Sequence, residues 1–68
     1  MFYFFEKDQR YTRCEVVERH GAWHIVIVEP GGEERTEDFP TSSTAHARWQ
    51  ELQARFADDG WFGPYGRD

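Results

Sequence analysis

A second cysteine is missing from this chain. Cys14 stands alone among 68 residues, so no disulfide can form within it. An unpaired thiol in so short a chain fits a reducing compartment better than a secreted one. Long apolar runs are also absent, and nothing approaches the roughly 20 consecutive apolar residues that a membrane-spanning helix needs. The first eight residues, Met1-Phe2-Tyr3-Phe4-Phe5-Glu6-Lys7-Asp8, have no basic n-region and too brief an apolar stretch for a signal peptide. Together these absences predict a cytoplasmic protein. Basic charge is scarce as well: eight Lys and Arg against thirteen Asp and Glu leave a formal charge of −5. That balance disfavours polyanionic partners, which require a net basic face. Length itself is in short supply. The chain makes one domain, 1–68, of a size that buries only about 60% of its unfolded surface. A core so small rarely supplies more than about 3–5 kcal/mol.

What the chain has is aromatic side chains: six Phe, three Tyr and three Trp. Each removes about 150–250 Å² from water when covered, which can offset the short length. Turn signals divide the first two-thirds. Lys7-Asp8-Gln9 separates the aromatic run Phe2 to Phe5 from Arg10–Glu18, His20-Gly21 separates that run from Trp23–Glu29, and Pro30-Gly31-Gly32 precedes Glu34–Phe39. Gly-containing breaks of two or three residues between β-rich runs are hairpin signals. A two- or four-residue loop around His20-Gly21 sets Glu18 against Trp23, Val16 against Ile25 and Cys14 against Ile27. Side chains alternate along a strand, so Cys14, Val16, Trp23, Ile25 and Ile27 form a core face. Arg13, Glu15, Val17, His24, Val26 and Val28 form a mixed one. In the second hairpin, a three-residue Pro30-Gly31-Gly32 loop adds Phe39 to the core face. A two-residue loop flips the strand over and exposes it.

After Pro40 the period changes. Ala45, Trp49, Leu52 and Phe56 recur at helical spacing. Thr41, Ser42, Ser43 and Thr44 supply N-cap candidates, Glu51 and Arg55 form an i,i+4 pair, and Gly60 is the natural stop. Asp58 and Asp59 oppose the negative end of the helix dipole, which favours an early end or a frayed last turn. Residues 60–68 read as an aromatic, Gly- and Pro-rich tail without regular structure. The expected fold is α+β: a three- or four-stranded antiparallel meander followed by one C-terminal helix packed on one face.

That geometry leaves a surface over. A helix is about 10–12 Å across and three or four strands span roughly 10–15 Å, so one helix covers one face. The strand Trp23–Val28 is apolar on both faces and expects cover on both. Val17, Val26 and Val28 therefore call for a second lid: the N-terminal aromatics, the tail, or another copy of the chain.

No chemistry-bearing constellation stands against this. Cys14 and His24 project to opposite faces, His20 lies in a turn and His46 on the helix, so no metal or cofactor set is expected. Ser42, Ser43 and Thr44 near His46 read as helix caps rather than nucleophiles. Cys14 falls in the core, where thiols are inert. The acid pairs Glu33/Glu34, Glu37/Asp38 and Asp58/Asp59 read as solvated groups, partly on an edge strand where charge discourages aggregation. Arg10, Arg13, Arg19 and Arg35 are read as lining one side of the sheet, but Glu15, Glu18, Glu34 and Glu37 interleave them.

An aromatic start, Cys14-Glu15, Pro30-Gly31-Gly32, Phe39, Arg48-Trp49 with Leu52, and Asp59-Gly60-Trp61 followed by Gly63-Pro64 give a pattern that resembles a group of short uncharacterised bacterial proteins. The resemblance spans nearly the whole chain, and its most specific part is the Gly-Trp-x-Gly-Pro tail. It implies a bacterial cytoplasmic protein and carries no activity, so no functional residue comes with it.

The functional expectation is a non-enzymatic protein-interaction module, self-associating as a homodimer or binding another protein through the uncovered sheet face. Val17, Val26, Trp61, Phe62, Pro64 and Tyr65 are the candidate contacts. The alternative is a small nucleic-acid-binding module using Arg13, Arg35 and nearby aromatics.

Overall fold

Two tight turns and one three-residue loop organise the first four strands. The structure, a computed structural model, describes residues 1–67, with Arg67 by its backbone alone; Asp68, the last residue of the tail, lies outside the described residues. Strands β1 (Phe2–Lys7) and β2 (Arg10–Arg19) are joined at Asp8-Gln9, and β2 is joined to β3 (Ala22–Val28) at His20-Gly21. Both central residues of each turn have positive φ, the left-handed twist that suits a two-residue hairpin. Between β3 and β4 (Glu34–Phe39), Gly32 donates its N–H to the Glu29 carbonyl, and Glu29 donates to the Glu33 carbonyl, both at 2.8 Å. The loop is therefore three residues long. Trp23 pairs with Phe39, and Phe39 takes the core face.

Helix α1 (Ser42–Asp58) crosses that face. Thr41 is its N-cap: its hydroxyl accepts the Thr44 N–H at 3.2 Å. Trp49 and Leu52 meet Phe5, Cys14, Ile25 and Ile27 in the core. Burying an aliphatic side chain of this size stabilises by about 1.5–3 kcal/mol. The aromatics of β1 supply much of the contact: Tyr3 lies 4.6 Å from Trp49 between ring centroids, and Phe5 stacks on Phe56 at 4.3 Å.

The helix is not C-terminal, and the sheet has five strands. After α1 the chain returns as β5 (Phe62–Arg67), antiparallel to β1, giving the order β4-β3-β2-β1-β5. The turn that sends it back starts at Gly60. Its φ of 87° closes a cap in which Gly60 donates to the Ala57 carbonyl and Trp61 to the Phe56 carbonyl, at 3.0 and 2.9 Å. The accompanying apolar contact is Trp61 edge-on to Phe56, at 5.8 Å between centroids.

The expectation that Gly and Pro keep the tail irregular fails for a positional reason. β5 is an edge strand, where the missing N–H of Pro64 breaks no ladder between two neighbours. Between the pairs Phe4–Tyr65 and Glu6–Phe62, β5 spends one residue more than β1, so Gly63 and Pro64 occupy a bulge. Gly63 there has φ 132°, and a Cβ on it would lie 2.7 Å from the Phe4 carbonyl oxygen.

Two smaller expectations also change. The last helical turn is not cut short: α1 runs through Asp58, and the Lys7 ammonium donates to the Asp59 carbonyl, putting a cation at the end the two aspartates oppose. Glu51 pairs with Arg48 at 2.7 Å, one turn back, instead of with Arg55. Arg48 is held at the right height because it also grips Glu37 of β4 through two nitrogens, at 2.8 and 3.1 Å.

Candidate functional site

With α1 on one face, the register assigns every other strand residue to the opposite, outer face. Phe2 pairs with Glu15, which pairs with Val26. Two residues along, Phe4 pairs with Arg13, which pairs with Val28. Val17 lies beside His24, and Tyr11 beside Glu6. Tyr65 pairs with Phe4 and Phe62 with Glu6, so both tail aromatics join this face.

Among the described residues, neither end of the chain lies across it. The N-terminal aromatics and the tail, two of the three candidate lids, are instead strands within the sheet, so they widen the outer face rather than cover it. Val17, Val26 and Val28 are half-buried by their sheet neighbours alone. Tyr11, Tyr65 and Phe62 are 58%, 54% and 67% exposed. The face is two apolar strips, one from β1 with β5 and one from β3, separated by the charged residues of β2. The Arg13 guanidinium lies 5.6 Å from the Phe2 ring centroid and shields part of it. At the β4 side, His24 Nδ1 and Asp38 Oδ1 are 2.6 Å apart.

Of the six candidate contacts, Val17, Val26, Phe62 and Tyr65 are brought to this face. Pro64 is exposed at the edge bulge. Trp61 sits on the other side of the sheet, half-buried against Phe56 and the core. Phe2, Phe4 and Tyr11 complete the outer face and were not among the candidates. Their signal was available as strand alternation, once β1 is paired with β2 through the Lys7–Arg10 turn.

The arginines expected along one side divide between two. Arg10 and Arg13 are three residues apart on one strand, hence on opposite faces. Arg13 and Arg19 belong to the outer face, whereas Arg10 and Arg35 belong to the helix side. The pair invoked for nucleic-acid binding, Arg13 and Arg35, thus shares no surface. Cys14 is sealed under the helix, and burial pushes its thiol up to about 12, with Arg35 pulling weakly the other way. Ser42, Ser43, Thr44 and His46 lie in the first turns of α1, exposed.

Among the described residues, no helix is long and apolar enough to cross a membrane. Comparison with protein-family models, with curated proteins and with solved structures finds no match, so the outer sheet face is the feature on which a functional reading rests.

Proposed function

We propose that this chain is a small non-enzymatic protein-interaction module whose contact surface is the outer sheet face, and that its partner is a second copy of itself. The observation that carries the reading is the bare face: Phe2, Phe4, Val26 and Val28 point away from the helix, and no element among the described residues lies across them. A strand apolar on both sides is at home when covered on both.

The pattern of the face supports a second copy in particular. The row Phe2-Glu15-Val26 lies next to the row Phe4-Arg13-Val28. A two-fold axis running across the strands between these rows lays each row on the other. Arg13 then meets Glu15 of the second copy, Phe2 meets its Phe4, and Val26 meets its Val28. By the same operation Val17 falls on Tyr11. Across β1, β2 and β3 these two rows set opposite charges and apolar groups against each other, as a self-complementary contact requires, whereas at the β4 edge Thr36 falls on Glu34. Sheets packed in this way keep their strands within about 30° of alignment. A standard interface takes about 800 Å² from each partner, about one-sixth of the 4770 Å² surface of this chain. A bacterial cytoplasmic setting, implied by the resemblance, belongs to the same reading.

Sedimentation equilibrium from micromolar to millimolar concentration tests it, using a charge swap. The native chain is expected to dimerise reversibly. Arg13→Glu and Glu15→Arg should each yield monomer, because like charges then face each other, and the double variant should dimerise again. A native chain that stays monomeric at millimolar concentration overturns the proposal, and so does a double variant that fails to recover.

A further inference from the structure

On the helix side, α1 leaves one corner of the sheet open. The result is a groove of about 670 Å³, within the range of small-molecule sites, about 300–1,000 Å³. Four arginines line it, Arg10 of β2, Arg35 of β4, and Arg48 and Arg55 of α1, half of the eight basic residues in the chain. Its apolar wall is Leu52, Phe56 and Trp61.

The arginines are not equally occupied. Arg48 is spent on Glu37 and Glu51. Arg35 is 3.5 Å from Glu29, a long contact between exposed side chains. Arg10 and Arg55 make no ion pair with a described residue. Three acids, Glu29, Asp58 and Asp59, also line the groove. Four positive against three negative groups give little bulk potential, so recognition here depends on placed donors.

One such donor is Thr12. It lines the groove, is only 2% exposed, and is the one buried polar residue among those described. Its hydroxyl has no hydrogen-bond partner among the described residues, yet no buried side-chain oxygen is sealed off unpartnered. The hydroxyl therefore opens into the groove. A hydroxyl at the groove wall with no internal partner is free to donate to water or to a bound ligand.

We infer that this groove binds a small organic anion: an oxyanion, phosphate ester or carboxylate, carried on a flat apolar body. Arg10, Arg35 and Arg55 hold the anionic oxygens by charge-assisted hydrogen bonds, Thr12 donates to one of them, and the body lies against Leu52, Phe56 and Trp61. The site is on the face opposite the one assigned to self-association, so either reading can fail alone.

Titration of the full ¹⁵N-labelled chain with phenyl phosphate, at constant ionic strength set with sodium chloride, tests the site. Inorganic phosphate and benzoate serve as reference probes. Phenyl phosphate is expected to give saturable shifts at the Nε–H of Arg10 and Arg55, the Thr12 amide and the Trp61 indole. Arg10→Gln with Arg55→Gln should weaken its binding at least tenfold, and Thr12→Val should weaken it by a smaller factor. Both variants change groups whose loss leaves the core intact, and the dispersion of the amide spectrum reports the fold directly. Shifts that do not saturate, that chloride reproduces, or that survive in the double arginine variant overturn the inference. Inorganic phosphate binding as tightly as phenyl phosphate removes the apolar body from it.

Discussion

Trp61 and Phe62 are neighbours with opposite expected roles, and truncating each in turn separates them. Trp61 is half-buried, its ring meets Phe56 edge-on, and its N–H closes the helix cap on the Phe56 carbonyl. Removing a buried Trp or Phe side chain costs about 3–5 kcal/mol. Because part of the indole already faces water, Trp61→Ala should cost about 2–3 kcal/mol. That is a large share of the roughly 3–5 kcal/mol a core of this size supplies. With a urea m value near the lower end for small proteins, about 1 kcal/mol/M, the unfolding midpoint should fall by about 2–3 M. Phe62 is 67% exposed on the other face, so Phe62→Ala should stay within about 0.5 kcal/mol. Urea titration followed by far-ultraviolet circular dichroism reads both, at a protein concentration low enough to hold every variant monomeric. Equal losses for the two variants, or a Trp61→Ala chain as stable as the native one, would refute the assignment of Trp61 to the core.

Two further outcomes follow from the sheet edge and the ion pair. Gly63→Ala forces a Cβ toward the Phe4 carbonyl at a φ of 132°. It should cost about 1–3 kcal/mol and raise amide hydrogen exchange in β5 well before the β2–β3 core, as measured by mass spectrometry or NMR. The Glu37 carboxyl is held below its ordinary value of 4.5, chiefly by the hydrogen bonds from Arg48. A depressed folded-state value means the stabilisation is complete above the unfolded value and lost as pH falls through the folded one. Unfolding free energy should therefore decline below about pH 4.5. Glu37→Gln should flatten that decline and cost about 1–2 kcal/mol at neutral pH, after discounting for screening of a pair still partly open to water. Chemical denaturation across a pH series measures both effects, and an unchanged acid slope in the variant assigns the loss to other carboxylates.

Local rules were enough for the elements whose partners are near in sequence. The hairpin at His20-Gly21 keeps one register for either loop length, and alternation then names Cys14, Ile25 and Ile27 as one face. Phe39 joins them only because the Pro30-Gly31-Gly32 loop holds three residues rather than two, a choice the sequence left open. The stripe Ala45-Trp49-Leu52 and the Thr41 cap are equally local, because a helix repeats over four residues and its first N–H groups need an acceptor. The odd spacing of Arg10 and Arg13 along β2 puts them on opposite faces by the same alternation, against the expectation that they line one side. The two-sided apolarity of β3 is likewise a property of the sequence, and it marks the outer face as one that expects cover. Tertiary structure alone decided the fate of the tail. Whether Phe62–Arg67 becomes a strand depends on whether a free edge is within reach when the helix ends, and that edge, β1, lies more than fifty residues earlier in the chain. The same long-range placement sent Trp61 inward and Tyr65 outward, and gathered Arg10, Arg35 and Arg55 around Thr12. Alternation and periodicity are properties of neighbouring residues, whereas a sheet edge and a groove exist only after distant segments have packed.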